Sequence, residues 1–72
     1  DTGIDYTHPD LRDAYAGGYD FYSNDSDPMD EFWHGTHVAG IVGARANDTG
    51  AIGVAPECRL YGLKCCGKDG RG

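Results

Sequence analysis

The sequence lacks the features that define several classes of protein. No run of apolar residues approaches the roughly 20 that a transmembrane helix needs, so a membrane is not an expected partner. Six Lys and Arg stand against twelve Asp and Glu, and the resulting net charge of -6 argues against nucleic acid, whose recognition needs a basic face. No Cys-x-x-Cys pair occurs, which removes a common signature of a structural zinc site.

Large aliphatic residues are also scarce. Hydrophobic residues make up 39% of the 72 positions, and much of that share is Ala and Tyr. A chain this short rarely buries enough apolar surface to be stable without a disulfide, a bound metal or oligomerisation. The three cysteines, Cys58, Cys65 and Cys66, are an odd number, and the adjacent pair makes a poor disulfide. We expect one small domain at most, with weak independent stability.

The clearest periodic segment predicts a helix over residues 34–44. Val38, Ile41 and Val42 recur at helical spacing and would share one face. Gly40 and Gly43 lower helix propensity and indicate close packing against another element.

The flanking segments predict an α/β fold. Strands are expected near 18–22 and 58–65, with residues 1–11 forming a strand end that runs into a loop. Gly17-Gly18 is expected to break the chain, and the acidic run 25–31 to be a solvated loop. Strand, helix, strand order is typical of a parallel sheet with crossover connections.

Two residue types in this chain suit the hydrolysis of peptide bonds. A serine peptidase needs an imidazole as general base and a carboxylate that fixes its tautomer and orientation. His34 and Asp1 are the candidates, although they lie far apart in sequence and only a fold could join them.

Several blocks, in the right order and covering nearly the whole chain, resemble the subtilisin family of serine proteases. The blocks are Asp1-Thr2-Gly3-Ile4-Asp5 with His8-Pro9-Asp10-Leu11, His34-Gly35-Thr36-His37-Val38-Ala39-Gly40, Gly53-Val54-Ala55-Pro56 and Leu60-Tyr61-Gly62-Leu63-Lys64. The resemblance implies an α/β fold, a fragment of the subtilisin-like parallel-sheet sandwich with flanking helices. Residues 1–72 would then be a partial peptidase domain that lacks the serine-containing part.

The resemblance also implies the catalytic roles. Asp1 matches the orienting carboxylate, His34 the general base, and His37 a position that is not catalytic. The parent would be a secreted serine endopeptidase acting on polypeptide substrates, with the rest of the peptidase domain as partner. The only serines, Ser23 and Ser26, lie in the polar loop before the helix, so we expect the 72-residue chain by itself to be inactive.

A substrate-binding role near the end of the chain is implied in the same way. The stretch matching Gly70-Arg71-Gly72 is, in the family, an edge strand that pairs with the substrate backbone. Cys66 matches a position that lines a subsite.

Calcium is the one metal that the resemblance implies, and no cofactor is required for the reaction. Asp10 and Asn47 match ligand positions, with backbone carbonyls near Arg45, Thr49 and Ala51. Carboxylate, amide and carbonyl oxygens are the ligands calcium takes. A plain solvated loop is the alternative.

Two further interpretations stay open. The chain is a non-catalytic truncated product, or His34 and His37 recruit Cys58, Cys65 or Cys66 into a small metal-binding module. Trp33 departs from the small residue that the family commonly carries before the catalytic histidine.

Overall fold

Two parallel strands joined by a helical crossover form the frame of the molecule. The computed structural model describes residues 1–45 and 52–72. Strand β1 (Tyr15–Asp20), helix α1 (His34–Gly43) and strand β2 (Leu60–Lys64) follow in that order. β1 and β2 pair in parallel, from Tyr15 opposite Leu60 to Asp20 opposite Lys64. The predicted α/β class with parallel strands is confirmed.

The first strand begins earlier than the prediction near 18–22 placed it. Gly17 and Gly18 lie inside β1, so the prediction that they break the chain is wrong, although the register shifts between Tyr15 and Gly17. The physical reason is close approach. A Cβ atom on Gly18 would overlap the carbonyl oxygen of Gly62 on β2, so only glycine lets the two backbones come so near.

The opening segment is irregular rather than the expected strand end. No strand is assigned to residues 1–11, where turns begin at Tyr6. The Ile4 amide donates to the Pro28 carbonyl at 2.9 Å, and the Asp30 amide donates to the Ile4 carbonyl at 3.3 Å. These bonds tie the opening segment to the chain that leads into α1. β2 is also shorter than the predicted strand 58–65.

The buried face of α1 is formed by its small residues and not by the face that Val38, Ile41 and Val42 share. Its buried residues are Gly35, Ala39 and Gly43. The side-chain-bearing residues Ile41 and Val42 are 55% and 45% exposed. Small residues spaced four apart let the helix backbone lie directly on its neighbours, because there is no side chain to hold them apart.

The core is small and is completed by a buried charge. Its apolar cluster consists of Ile4, Leu11, Ala14, Ala39, Ala44 and Leu60. Beside it, Lys64 is only 2% exposed, and its ammonium donates to the Met29 carbonyl and the Glu31 carboxylate, each at 2.8 Å. Of the described helices, none has the length and apolar character to cross a membrane.

Candidate active site

Asp1 is held at the carboxyl end of β2 by backbone hydrogen bonds. The amides of Cys65 and Cys66, the two residues that follow the strand, donate to the Asp1 carbonyl at 2.8 and 3.1 Å. In open α/β sheets, functional groups gather beyond the carboxyl ends of parallel strands. Asp1 therefore lies where this fold class places its chemistry.

Two glycines let the start of α1 approach the opening segment. The Gly35 amide donates to Thr2 Oγ1 at 2.8 Å. A Cβ on Gly35 would overlap the Gly3 carbonyl oxygen and lie 2.8 Å from the Gly3 nitrogen. Gly3 itself has φ +107°, a conformation that side chains disfavour. Because both positions are glycine, the residue before Gly35 is carried next to Asp1.

The Asp30 carboxylate anchors the first turn of α1. Its Oδ2 accepts from the Thr36 amide at 2.9 Å and from the Thr36 hydroxyl at 2.6 Å, and its Oδ1 accepts from the Phe32 amide at 2.9 Å. Partial burial alone would raise the pKa of Asp30, but these hydrogen bonds outweigh it and lower the pKa below the usual range. The expectation of a solvated loop over 25–31 is therefore wrong at Asp30.

These contacts bring the side chains of Asp1 and His34 together. His34 Nδ1 lies 2.9 Å from Asp1 Oδ2 and 3.1 Å from Asp1 Oδ1. Since a carboxylate only accepts, the contact requires the proton on Nδ1, which leaves Nε2 of the neutral ring as an acceptor. The Thr2 amide fixes the carboxylate by donating to Oδ1 at 2.6 Å. The two side chains are 38% and 49% exposed, so a third group has room to reach the imidazole.

Trp33 lies against the histidine rather than away from the site. Its ring centroid is 5.4 Å from that of His34 in an edge-on arrangement, and 6.4 Å from that of His37. Trp33 is nevertheless 56% exposed, so it packs beside the imidazole while much of its own surface faces solvent.

The sequence profile described as the Subtilase family matches residues 1–72. The chain belongs to the subtilase family. This family contains the subtilisin-like serine proteases, so the resemblance drawn from the Asp1 and His34 blocks is confirmed.

Individual relatives agree with this membership over the full chain. A thermophilic serine proteinase of Bacillus sp. (strain AK1) is 52% identical over 73 residues, covering 100% of this chain and 18% of the relative. The crystal structure of a cold adapted subtilisin-like serine proteinase superposes with a TM-score of 0.86 at 36% identity, covering 100% of this chain and 24% of that one. The chain thus spans a quarter or less of the length of these relatives.

The names of other relatives point to two cellular locations. A minor extracellular protease of Bacillus subtilis (strain 168) and an intracellular serine protease of Paenibacillus polymyxa are each 46% identical, over 11% and 23% of their own lengths. The family therefore includes proteins from both sides of the cell membrane.

The predicted substrate-binding residues lie after β2 in irregular structure. Gly70 lies in a turn, with φ +78° and its amide donating to the Gly67 carbonyl at 2.9 Å. Arg71 and Gly72 are exposed and are not part of a strand, and Cys66 is half-buried. The structure does not place these four residues in a sheet.

Of the two predicted calcium ligands, only Asp10 lies within the described residues. Asp10 is buried, its amide donates to His8 Nδ1 at 3.1 Å, and its carbonyl accepts from the Arg45 amide at 2.9 Å. Asn47 lies outside the described residues, as do Thr49 and Ala51.

The alternative metal-binding module gains no support from the described residues. Among residues 1–45 and 52–72, no group of three or more His, Cys, Asp or Glu side chains is placed to hold a metal ion. All three cysteines are free thiols.

Several residues that build the site were missed by sequence reasoning. Thr2, Asp30 and Thr36 hold the two blocks in contact, a role that neither the motifs nor the acidic run 25–31 predicts. The available signal was the Asp four residues before His34, because a carboxylate just before a helix commonly accepts from the amides of its first turn.

Proposed function

We propose that the chain carries the Asp and His of the catalytic triad of a subtilisin-like serine endopeptidase. The observation that supports this most directly is the 2.9 Å contact between Asp1 Oδ2 and His34 Nδ1. Asp1 holds the imidazole in the tautomer that presents Nε2. His34 then takes the proton of a serine hydroxyl as the oxygen attacks the scissile carbonyl, and passes it to the leaving amine.

In this proposal the nucleophilic serine comes from polypeptide outside residues 1–72, which form part of a peptidase domain. Ser23 and Ser26 are exposed, and within the described part of the chain neither has a hydrogen bond with His34. The exposed apolar side chains of α1 and β2 support the same view, because an intact domain would cover them. They are Val38, Ile41, Val42, Tyr61 and Leu63.

The test is to restore the missing part. Residues 1–72 replace the matching segment of the thermophilic serine proteinase relative, and hydrolysis of a peptide substrate is measured. We expect an active hybrid whose kcat falls about 10⁴-fold in Asp1→Asn, the order of loss found when the orienting carboxylate of one serine-protease triad becomes an amide. His34→Ala should be at least as damaging, whereas His37→Ala, on the same helix, should stay within about tenfold.

An active hybrid that keeps its kcat in Asp1→Asn and His34→Ala would refute the assigned roles. The 72-residue chain alone should not react with a fluorophosphonate probe, and covalent labelling at Ser23 or Ser26 would overturn the need for an external serine.

Substrate binding and secretion belong to the same proposal. Polypeptide substrates pair with Gly70-Arg71-Gly72 and contact Cys66, and the protein is secreted. Arg71→Pro removes a backbone N–H, so it should raise KM in the hybrid if this backbone pairs with the substrate. An unchanged KM would refute the assignment. Detection of the protein only inside the source cells would contradict the proposal that it is secreted.

Structural calcium is proposed with Asp10 and Asn47 as ligands. Asp10 is buried and its carbonyl accepts from the Arg45 amide, which places a carboxylate-bearing residue beside the segment that follows α1. A carboxylate is a ligand that calcium takes. When bound, calcium would stabilise the fold and take no part in the reaction. We expect weak binding or none in the 72-residue chain. Calorimetry showing micromolar affinity that is lost in Asp10→Asn would contradict that expectation of weakness.

A further inference from the structure

Lys64 carries a buried charge that the proposed mechanism does not use. It ends β2, and only 2% of it is exposed. Burial alone would lower the pKa of its ammonium, but the hydrogen bond to Glu31 and the attraction of neighbouring carboxylates outweigh burial and raise that pKa. The group is therefore charged at neutral pH, and a buried charge needs well-placed acceptors.

The acceptors of this ammonium lie in the short segment 29–31, which leads into α1. Lys64 Nζ donates to the Met29 carbonyl and to Glu31 Oε1, each at 2.8 Å. The Asp20 carboxylate lies farther away, with Oδ2 at 3.9 Å from Nζ. One side chain thus binds both the backbone and a side chain of this segment.

The backbone on either side of Lys64 binds Asp1. The Asp1 nitrogen donates to the Leu63 carbonyl at 3.1 Å, and the Cys65 amide donates to the Asp1 carbonyl at 2.8 Å. Side chains along a strand alternate between its two faces, and the alternating burial of β2 places Lys64 on the buried face. Strand β2 therefore binds Asp1 at the same point from which its lysine reaches segment 29–31.

Segment 29–31 in turn holds the start of the helix that carries His34. Its middle residue is Asp30, whose carboxylate accepts from the Thr36 amide and hydroxyl in the first turn of α1, at 2.9 and 2.6 Å. His34 is the first residue of that helix. Fixing the segment therefore fixes the helix start, and with it the imidazole.

We propose that Lys64 is a positioning residue for the Asp1–His34 pair. Its ammonium holds segment 29–31 against the strand that binds Asp1, so the carboxylate and the imidazole stay within hydrogen-bond distance. This inference rests on the proposed function, because the separation affects a rate only if the pair transfers a proton. Displacing a catalytic group by about 1 Å can lower a rate about a hundredfold, so a side chain outside the pair can determine kcat.

The kinetic test compares variants of the active hybrid, with kcat expressed per folded molecule by circular dichroism. Lys64→Met removes both hydrogen bonds and should lower kcat about 10–100-fold while KM changes less than about threefold. Leu60→Ala is the matched control, because Leu60 is buried on the same face of β2 and its truncation also destabilises. Its kcat should stay within about threefold of the parent value. An equal loss of kcat in both variants, or a change in KM alone, would overturn the proposal.

A second pair of variants is informative even if Lys64→Met does not fold. The side chain of Glu31 is 60% exposed, so its replacement leaves the apolar core intact. Glu31→Ala deletes one acceptor of the ammonium and should lower kcat about fivefold or more, whereas Glu31→Gln keeps an acceptor oxygen and should stay within about twofold. A kcat in Glu31→Ala equal to that of the parent would refute the positioning role.

An NMR measurement separates failure of this inference from failure of the proposed function. The proton on His34 Nδ1 is observed in the isotope-labelled 72-residue chain, where no serine is needed. Its signal should be present in the parent and in Glu31→Gln, and should be lost to exchange with water in Glu31→Ala. A signal that persists unchanged in Glu31→Ala would count against positioning alone. An inactive hybrid together with the expected NMR pattern would count against the proposed function alone.

Discussion

The contact between α1 and the opening segment makes Gly35→Ala the sharpest test of how the site is assembled. In an ordinary helix, replacing glycine with alanine stabilises by about 1 kcal/mol. At Gly35 the added Cβ would overlap the Gly3 carbonyl oxygen and lie 2.8 Å from Gly3 N, where ordinary contact begins at 3.4 Å. These are backbone atoms, so they cannot rotate away as a flexible side chain would.

The expected loss follows from two effects. Forcing a methyl group into a packed contact costs about 1–3 kcal/mol. Separating the segments also weakens the 2.8 Å hydrogen bond from the Gly35 amide to Thr2 Oγ1, worth about 1 kcal/mol. Less the gain of about 1 kcal/mol in helix propensity, we expect Gly35→Ala to destabilise by about 1–3 kcal/mol. Gly40→Ala lies on the same helix, and among residues 1–45 and 52–72 no atom beyond the helix's own neighbouring backbone lies within 4 Å of the new Cβ, so it should stabilise by about 1 kcal/mol.

The assay is the fraction of folded chain, measured by far-ultraviolet circular dichroism during urea titration of the parent and both variants. In a marginally stable chain this fraction is most sensitive, because 1.4 kcal/mol changes the folding equilibrium tenfold. Opposite shifts are expected for the two alanines. If Gly35→Ala and Gly40→Ala stabilise equally, the close approach does not exist in solution, and the explanation of how His34 reaches Asp1 fails.

Three more perturbations probe the charges around this frame. Because hydrogen bonds outweigh burial and lower the pKa of Asp30, the stability that this carboxylate contributes is complete above its ordinary pKa of 3.8 and is lost as the pH falls through the folded-state pKa. Asp30→Asn should therefore make the free energy of unfolding less dependent on pH in this range. Acid-unfolding curves with the same pH dependence in parent and variant would contradict this. The hydrogen bond to Asp27, 2.6 Å long, raises the pKa of Tyr6 to about 12, and Asp27→Asn should return it toward 10 in an NMR titration, whereas an unchanged value would refute the cause. Lys64→Met should destabilise by about 3 kcal/mol in urea, because Asp20, 3% exposed, loses its buried cation; a change below about 1 kcal/mol would show that the pair is not structural.

The fold class was predictable because strand, helix, strand order leaves few arrangements. Two parallel strands need a long connection, and residues 34–44 supplied a helix of suitable length. Strand β1 was misplaced since Gly17 and Gly18 weaken strand propensity locally. Their advantage arises only when β2 lies beside them, where Gly18 faces Gly62. A preference that depends on a partner strand cannot be read from the strand alone.

The candidate site was predictable in its residue types but not in its construction. Asp1 and His34 stand out because their blocks resemble those of a known family. The residues that hold this pair in place do not stand out in the sequence. Thr2, Asp30 and Thr36 act through hydrogen bonds that exist only after the segments meet. Asp30 lies in an acidic run, where composition alone favours a solvated loop. Its burial is a tertiary effect.

Helix α1 is apolar on two faces, and the structure shows which of them packs within this chain. Val38, Ile41 and Val42 share one face by their spacing, whereas the structure buries Gly35, Ala39 and Gly43. Both faces are apolar, so periodicity alone cannot choose between them. The small-residue face wins here because it lets the helix backbone touch the opening segment, which is the contact that sets His34 beside Asp1. The large aliphatic face is left for further packing, and a helix apolar on both sides is what the interior of a larger domain requires.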